Sequence, residues 1–183
     1  FWFWDSYSLL MISVSRTLLP KLSDYNKYLK RIWKSNCLTN NGELVQELEK
    51  KLEERLGVKN VVCVSSGTTA LMLVLKAMEI KELYLSPNSF IATASAPAWM
   101  GIKLNFVDHG ETYKGPALTT HTYGVPHLTD VKPVIYDASH AFSVRVDGKS
   151  ILAYGDASII SFHAVKTFQT VEGGAVVTQS DEL

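Results

Sequence analysis

Only two of the 183 residues are cysteines, Cys37 and Cys63. They are too few and too far apart for a disulfide framework or a metal knuckle, so both are expected as reduced thiols of a cytoplasmic protein. Excess charge is also lacking: Lys plus Arg and Asp plus Glu both total 18. No net field draws the chain to nucleic acid or to an anionic membrane, and neither is expected as a partner. Long apolar runs are missing too. The most apolar stretch, residues 1–14, contains Asp5, has no basic leader and is too short for a bilayer, and the first methionine is Met11. Residues 1–10 are therefore read as an upstream segment without a role. No internal repeat and no low-complexity segment occurs. What remains is an ordinary globular composition, 46% hydrophobic against 20% charged. That suffices for one domain with a sizeable core.

Along the chain, Leu22, Tyr25, Leu29 and Ile32 recur at helical spacing and predict a helix over 22–33. Thr39-Asn40-Asn41-Gly42 is turn and cap chemistry. Leu44, Leu48, Leu52 and Leu56 then repeat every four residues up to Gly57, predicting an amphipathic helix that packs through one stripe. Residues 60–64 read as a buried strand, followed by Ser65-Ser66-Gly67-Thr68-Thr69 and a helix over 70–78. Further strands are expected at 83–85, 104–107, 118–123, 133–136, 157–162 and 175–178. A helix shortened or kinked by Pro97 is expected over 91–100, and a hairpin around Asp147-Gly148. Alternating strands and helices, then closely spaced strands, predict an α/β domain with a mainly parallel sheet. Sites in such sheets lie at the carboxyl ends of strands.

Two stretches carry chemistry in their own right. In Ser161-Phe162-His163-Ala164-Val165-Lys166-Thr167-Phe168, a single lysine sits among apolar and small residues just after a strand. Desolvation there would lower its pKa and free the amine as a nucleophile; the bland alternative is a surface lysine in a loop. The turn at residues 65–69 ends a strand and opens an apolar helix, an arrangement that offers free N–H groups to a phosphate. Ser66 or Thr68 acting as a simple helix cap is the competing reading.

Taken as an ordered set, several motifs resemble the aminotransferases of the DegT/DnrJ/EryC1/StrS family. They are Leu38-Thr39-Asn40, Ser65-Ser66-Gly67-Thr68-Thr69-Ala70-Leu71, Ser89-Phe90-Ile91-Ala92-Thr93, Phe106-Val107-Asp108 and His121-Thr122-Tyr123-Gly124, continuing with Asp137-Ala138-Ser139-His140-Ala141 and Ser161-Phe162-His163 through Lys166 to Glu172-Gly173-Gly174. The resemblance implies the large domain of a fold-type-I enzyme that uses pyridoxal 5′-phosphate to aminate a nucleotide-linked keto-sugar. Glutamate is the implied amino donor, amino-sugar or polysaccharide biosynthesis the setting, and a homodimer the assembly. Position by position, it implies Lys166 as the Schiff-base lysine and proton carrier, and Asp137 as the carboxylate beneath the pyridine nitrogen. His140 is implied as a contact to the phenolic oxygen or a ring face, and Phe90 as the stacking aromatic. Gly67, Thr68, Thr69 and Ser161 are implied as the phosphate site. His163 and Glu172 shape the loop, and His121 and Tyr123 sit at a strand end. A related dehydratase branch has histidine in place of the lysine, so Lys166 points to transamination.

Family members are roughly twice this long. Residues 11–42 are accordingly read as an arm and helix and 43–183 as an incomplete large domain without the smaller C-terminal domain. Two connections, 108–117 and 124–133, have little room for the helices the pattern leads one to expect, since a parallel crossover takes about a dozen residues or more. Ala164 stands where proline is common. A shortened, non-catalytic cofactor-fold domain that serves as a binding module is the alternative function.

Overall fold

Seven short runs, most of them rich in Val, Ile, Leu or Ala, become the strands of one sheet in the computed structural model, which describes residues 17–108 and 111–183. The upstream segment assigned to residues 1–10 lies outside the described residues. In chain order the elements are α1 (Leu22–Ser35), α2 (Glu43–Leu56), β1 (Asn60–Val64), α3 (Gly67–Ala77), β2 (Glu82–Leu85), α4 (Ile91–Trp99), β3 (Lys103–Phe106), β4 (Ala117–Thr120) and β5 (Val134–Asp137). A small hairpin, β6 (Arg145–Val146) and β7 (Lys149–Ser150), precedes β8 (Ala157–Ser161) and β9 (Gly174–Thr178). The sheet runs β1-β9-β8-β5-β4-β2-β3. Pairings from β3 through β8 are parallel, and β9 is antiparallel to both its neighbours. The expected α/β architecture with a mainly parallel sheet is what forms. No described helix is long and apolar enough to cross a membrane.

Both faces of the sheet are covered, which is why its strands read apolar on both sides. Leu71, Val74 and Leu75 of α3 pack against Leu85, Leu118 and Ile159 on one face. Leu52 and Leu56 of α2 pack against Ile160, Phe162 and Val177 on the other. A fully buried leucine of this kind contributes about 1.5–3 kcal/mol. Within a strand the alternation is strict: Ile135 and Asp137 face α3 and α4, whereas Val134 and Tyr136 lie in a third cluster beneath.

Several sequence expectations are corrected. β1 is an edge strand rather than a buried one, with Val62 54% exposed. Its free edge is not bare, because the Val61 and Cys63 N–H groups donate to Glu53 and Glu49 on α2 at 3.2 and 2.8 Å. Partial burial pushes the Cys63 thiol up to about 12, so this cysteine is inert. The strand expected over 118–123 stops at Thr120. Tyr123 takes a left-handed backbone (φ 55°) inside a single 3₁₀ turn, which no strand accommodates. Residues 121–133 then cross from β4 to β5 without any α-helix, in line with the little room the sequence leaves there. The apolar stripe predicted for α1 does form on one helix, but none of its residues is buried. α1 is instead tied to α2 through Arg31, which pairs with Glu43 and Glu47.

At the carboxyl end of the sheet, β9 starts hard against α3. A Cβ on Gly174 would lie 2.4 Å from the Ser66 carbonyl carbon and 2.5 Å from the Gly67 nitrogen. Gly174 also pairs with both Val64 and Ser161. The reversed strand therefore seats the helix N-terminus over the end of β8. Edge protection of β1 is directly testable. Replacing Glu49 and Glu53 together by alanine should cost about 2 kcal/mol in urea unfolding, roughly 1 per lost hydrogen bond, and should raise the aggregation rate. An unchanged unfolding midpoint would remove these carboxylates from the account of the edge.

Candidate active site

Ser66 caps α3: its hydroxyl accepts the Thr69 N–H at 3.0 Å, and its carbonyl accepts the Ala70 N–H at 3.0 Å. The N–H groups of Gly67 and Thr68 are the ones left without an intrahelical acceptor, at the positive end of the helix. Both residues line a cleft of about 280 Å³ at the carboxyl ends of the strands. Gly67 is closely approached there: a Cβ would lie 3.0 Å from Ser161 Cβ, tighter than ordinary packing. Ser161, last residue of β8, lines the same cleft, and its hydroxyl accepts the His163 N–H.

Asp137 ends β5 and is 6% exposed. Its Oδ1 accepts the Ser139 N–H at 3.1 Å, and its Oδ2 accepts the Thr93 hydroxyl at 3.0 Å. His140 follows in the turn. Its Nδ1 accepts the Tyr123 N–H at 3.3 Å, which assigns the ring proton to Nε2, and the Tyr123 ring stacks on it at 6.0 Å. Burial, then the nearby Lys166 charge, hold the His140 imidazole below its ordinary value, against a smaller opposite pull from Asp137. Both the shift and the accepting Nδ1 favour the neutral ring.

Lys166 lies in the loop 162–173 between β8 and β9 and is half-buried on the same cleft. Burial lowers the pKa of its amine, while the Asp137 carboxylate opposes that shift. Both residues line the one cleft. The loop is anchored from below. Phe168 stacks on Phe142 at 4.7 Å and meets Phe162 edge-on at 5.1 Å. Thr170 donates its N–H to Phe162, which in turn donates to Gly173. An aromatic anchor two residues beyond Lys166 limits how far the amine can move.

Lys166, Asp137, His140, Phe90, Gly67, Thr68 and Ser161 thus line one cleft. Thr69 does not: its hydroxyl is engaged with Ser65 and Ser66 at 3.1 and 3.0 Å, so it completes the helix cap rather than the cleft wall. Phe90 is 66% exposed, which removes the core alternative for it. His163 and Glu172 line the cleft as well, with His163 Nε2 3.6 Å from Glu172 Oε1. His121 is fully buried, stacked on Tyr136 at 4.8 Å and pushed down to about 4 by burial. Sequence reasoning missed Thr93 and Thr120. Thr120 lines the cleft in register with Asp137, and its hydroxyl is buried without a partner. A polar residue at an inward strand position was the available signal.

These residues fit pyridoxal phosphate. An amine with a lowered pKa suits an aldehyde, the free N–H groups at a helix N-terminus suit a phosphate, and a buried carboxylate with both oxygens oriented suits a pyridinium nitrogen. The unpartnered Thr120 hydroxyl marks a wall prepared for a polar ligand. The cleft also approaches the size at which small-molecule sites begin, about 300 Å³.

Known proteins share this sequence pattern and this fold. The family model of the DegT/DnrJ/EryC1/StrS aminotransferases matches residues 22–115 and 129–183. The chain is 39% identical to the dTDP-4-amino-4,6-dideoxy-D-glucose transaminase of Shigella dysenteriae, over 94% of this chain and 54% of that protein. It is 33% identical to the UDP-4-amino-4,6-dideoxy-N-acetyl-beta-L-altrosamine transaminase of Campylobacter jejuni subsp. jejuni serotype O:23/36, over 85% and 48%. The crystal structure of DesI in the presence of its TDP-sugar product superposes with a TM-score of 0.82 at 28% identity, covering 92% of this chain and 48% of that one. The chain spans about half the length of these relatives. By sequence and by fold it belongs to the DegT/DnrJ/EryC1/StrS aminotransferase family.

Proposed function

We propose that this chain carries the cofactor-binding half of a pyridoxal-phosphate-dependent aminotransferase that converts a nucleotide-linked keto-sugar into an amino sugar, with glutamate as donor. The observation that carries this reading is the convergence of Lys166, Asp137 and the free N-terminus of α3 on one cleft. Relatives named for dTDP- and UDP-linked sugars support the substrate class and leave the base open.

Pyridoxal phosphate, when bound, supplies an aldehyde that captures amines and a ring that withdraws electrons from the carbon being deprotonated. The chain's own residues do the rest. Gly67 and Thr68 N–H groups, with the Ser161 hydroxyl, would hold the phosphate. Asp137 would face the ring nitrogen and keep it protonated. The exposed Phe90 ring would cover one face, and His140 Nε2–H would donate to a ring oxygen. Lys166 would have two tasks: its Nζ would hold the cofactor's aldehyde carbon, and the same Nζ would take up and return the proton of the substrate carbon. Its lowered pKa serves both, because each requires the neutral amine.

Borohydride reduction of protein incubated with pyridoxal phosphate should fix the cofactor on the Lys166 peptide by mass, and Lys166→Ala should take up none. In a separate, unreduced sample, added glutamate should bleach the visible band of the bound cofactor and release 2-oxoglutarate. A band that forms but survives glutamate supports the binding-module alternative instead. No band at all ends the cofactor reading.

The opposed pulls on Lys166 give a second test. Competitive acetylation across pH should show Lys166 titrating below the solvated lysines. Asp137→Asn should lower it further, since the carboxylate is what holds it up. An upward shift in that variant would contradict the geometry.

We also propose a second copy of the chain as partner. Trp99 and Ile91 on α4 and Phe106 on β3 are 89%, 71% and 58% exposed, an apolar group that assembly would cover. Sedimentation at micromolar concentration should report a dimer, and a monomer there would remove this element.

A further inference from the structure

The Asp137 carboxylate is gripped from two directions. Ser139, which donates its N–H to Oδ1, comes from the turn after β5 and is a local partner. Thr93, which donates its hydroxyl to Oδ2 at 3.0 Å, comes from the first turn of α4, 44 residues earlier. Thr93 is 1% exposed, so no solvent competes for that bond. The same turn begins at Phe90, whose carbonyl accepts the Thr93 N–H at 2.9 Å. One helical turn therefore presents an aromatic ring to the cleft and a hydroxyl to the carboxylate at its back.

A carboxylate on a short side chain can still rotate about its last bond. Two donors on two different oxygens fix that rotation, and losing the tertiary one leaves Oδ2 buried and unsatisfied. A replacement is close by. Thr120 stands beside Asp137 on β4, in register with it, and its buried hydroxyl has no partner. An Asp137 released by Thr93 has somewhere else to turn.

We infer that Thr93 is a positioning residue for this site: its hydroxyl sets the rotation of the Asp137 carboxylate toward the cleft and ties that rotation to the placement of Phe90. The inference rests on the cofactor reading above. Chemically, Thr93 decides whether the carboxylate presents a lone pair to a bound ring nitrogen or spends it on Thr120. Side chains that orient a contacting group in this way typically tune it by tenfold or more.

The test compares Thr93→Val, which keeps the shape and removes the hydroxyl, with Thr93→Ser, which restores it. Thr93→Ala serves as a second hydroxyl-free variant. Three readouts are taken on each: the pyridoxal phosphate dissociation constant from the visible band, the pH midpoint of that band, and the melting temperature without cofactor. Thr93→Val is expected to weaken binding about tenfold and to shift the band's pH midpoint, with Thr93→Ser close to wild type in both. In an Asp137→Asn background, Thr93→Val should add little further loss, because the group it positions is already altered. Wild-type binding and an unmoved midpoint in Thr93→Val overturn the inference. So does an undiminished effect of Thr93→Val in the Asp137→Asn background, or a loss of fold in both hydroxyl-free variants, which would make the role purely structural. Failure of the wild type itself to form a band would instead sink the cofactor reading, and the two failures are told apart by that single control.

Discussion

One nitrogen is pulled two ways. Burial in the loop after β8 favours the neutral amine of Lys166, while the carboxylate at the end of β5 favours the charged one. Neither group could hold that relation alone. A lysine in a loose loop would swing into water and regain its ordinary basicity, and an unpinned carboxylate would turn away. The surrounding structure keeps both side chains on the one cleft. The Phe142–Phe168–Phe162 cluster anchors the loop from below, and Thr93 and Ser139 grip the carboxylate from behind.

The sheet order explains why they meet at all. β5 and β8 are adjacent and parallel, so their carboxyl ends open on the same rim, with Asp137 in register with Ile159. β9 runs back beside β8, so the segment holding Lys166 is closed at both ends by paired strands. The helix N-terminus arrives by a different constraint. Gly174 lets β9 press directly on Ser66 and Gly67, and Gly67 lets α3 approach Ser161. Two glycines, lacking a Cβ where one would crowd its neighbours, set how closely the helix N-terminus approaches the ends of β8 and β9.

Much of this was legible in the sequence because the signals were local. A strand followed by small polar residues and an apolar helix marks a helix N-terminus, and a lysine between a strand and a glycine pair marks a loop closed at both ends. What escaped was tertiary. Thr93 closed a motif without a role of its own, and only the fold shows that its hydroxyl reaches a strand 44 residues away. Thr69 sat in the right motif, yet its hydroxyl prefers the cap, a competition between near neighbours that spacing does not resolve. β1 reads as buried from composition, but strand order puts it at an edge where two glutamates on α2 take the role of a neighbouring strand.

The stretch from β4 to β5 shows how the fold tolerates a missing element without losing the site. Parallel neighbours are usually joined through a helix that covers the sheet, yet residues 121–133 make the crossing with one 3₁₀ turn. Cover on that face comes from side chains instead. His121 is buried against Tyr136, and Tyr136 packs with Tyr113, Val131 and Tyr154. Aromatic area takes the place of a helix, because two large rings bury as much apolar surface as several aliphatic positions. The cost is borne at the strand end, where Thr119, Thr120 and His121 all hold buried polar atoms without partners. Two of the three lie on or beneath the aromatic face, and the third, Thr120, faces the cleft. The shortened connection therefore leaves the cofactor side intact, and of these three groups only the Thr120 hydroxyl stands beside Asp137, where a bound polar ligand can use it.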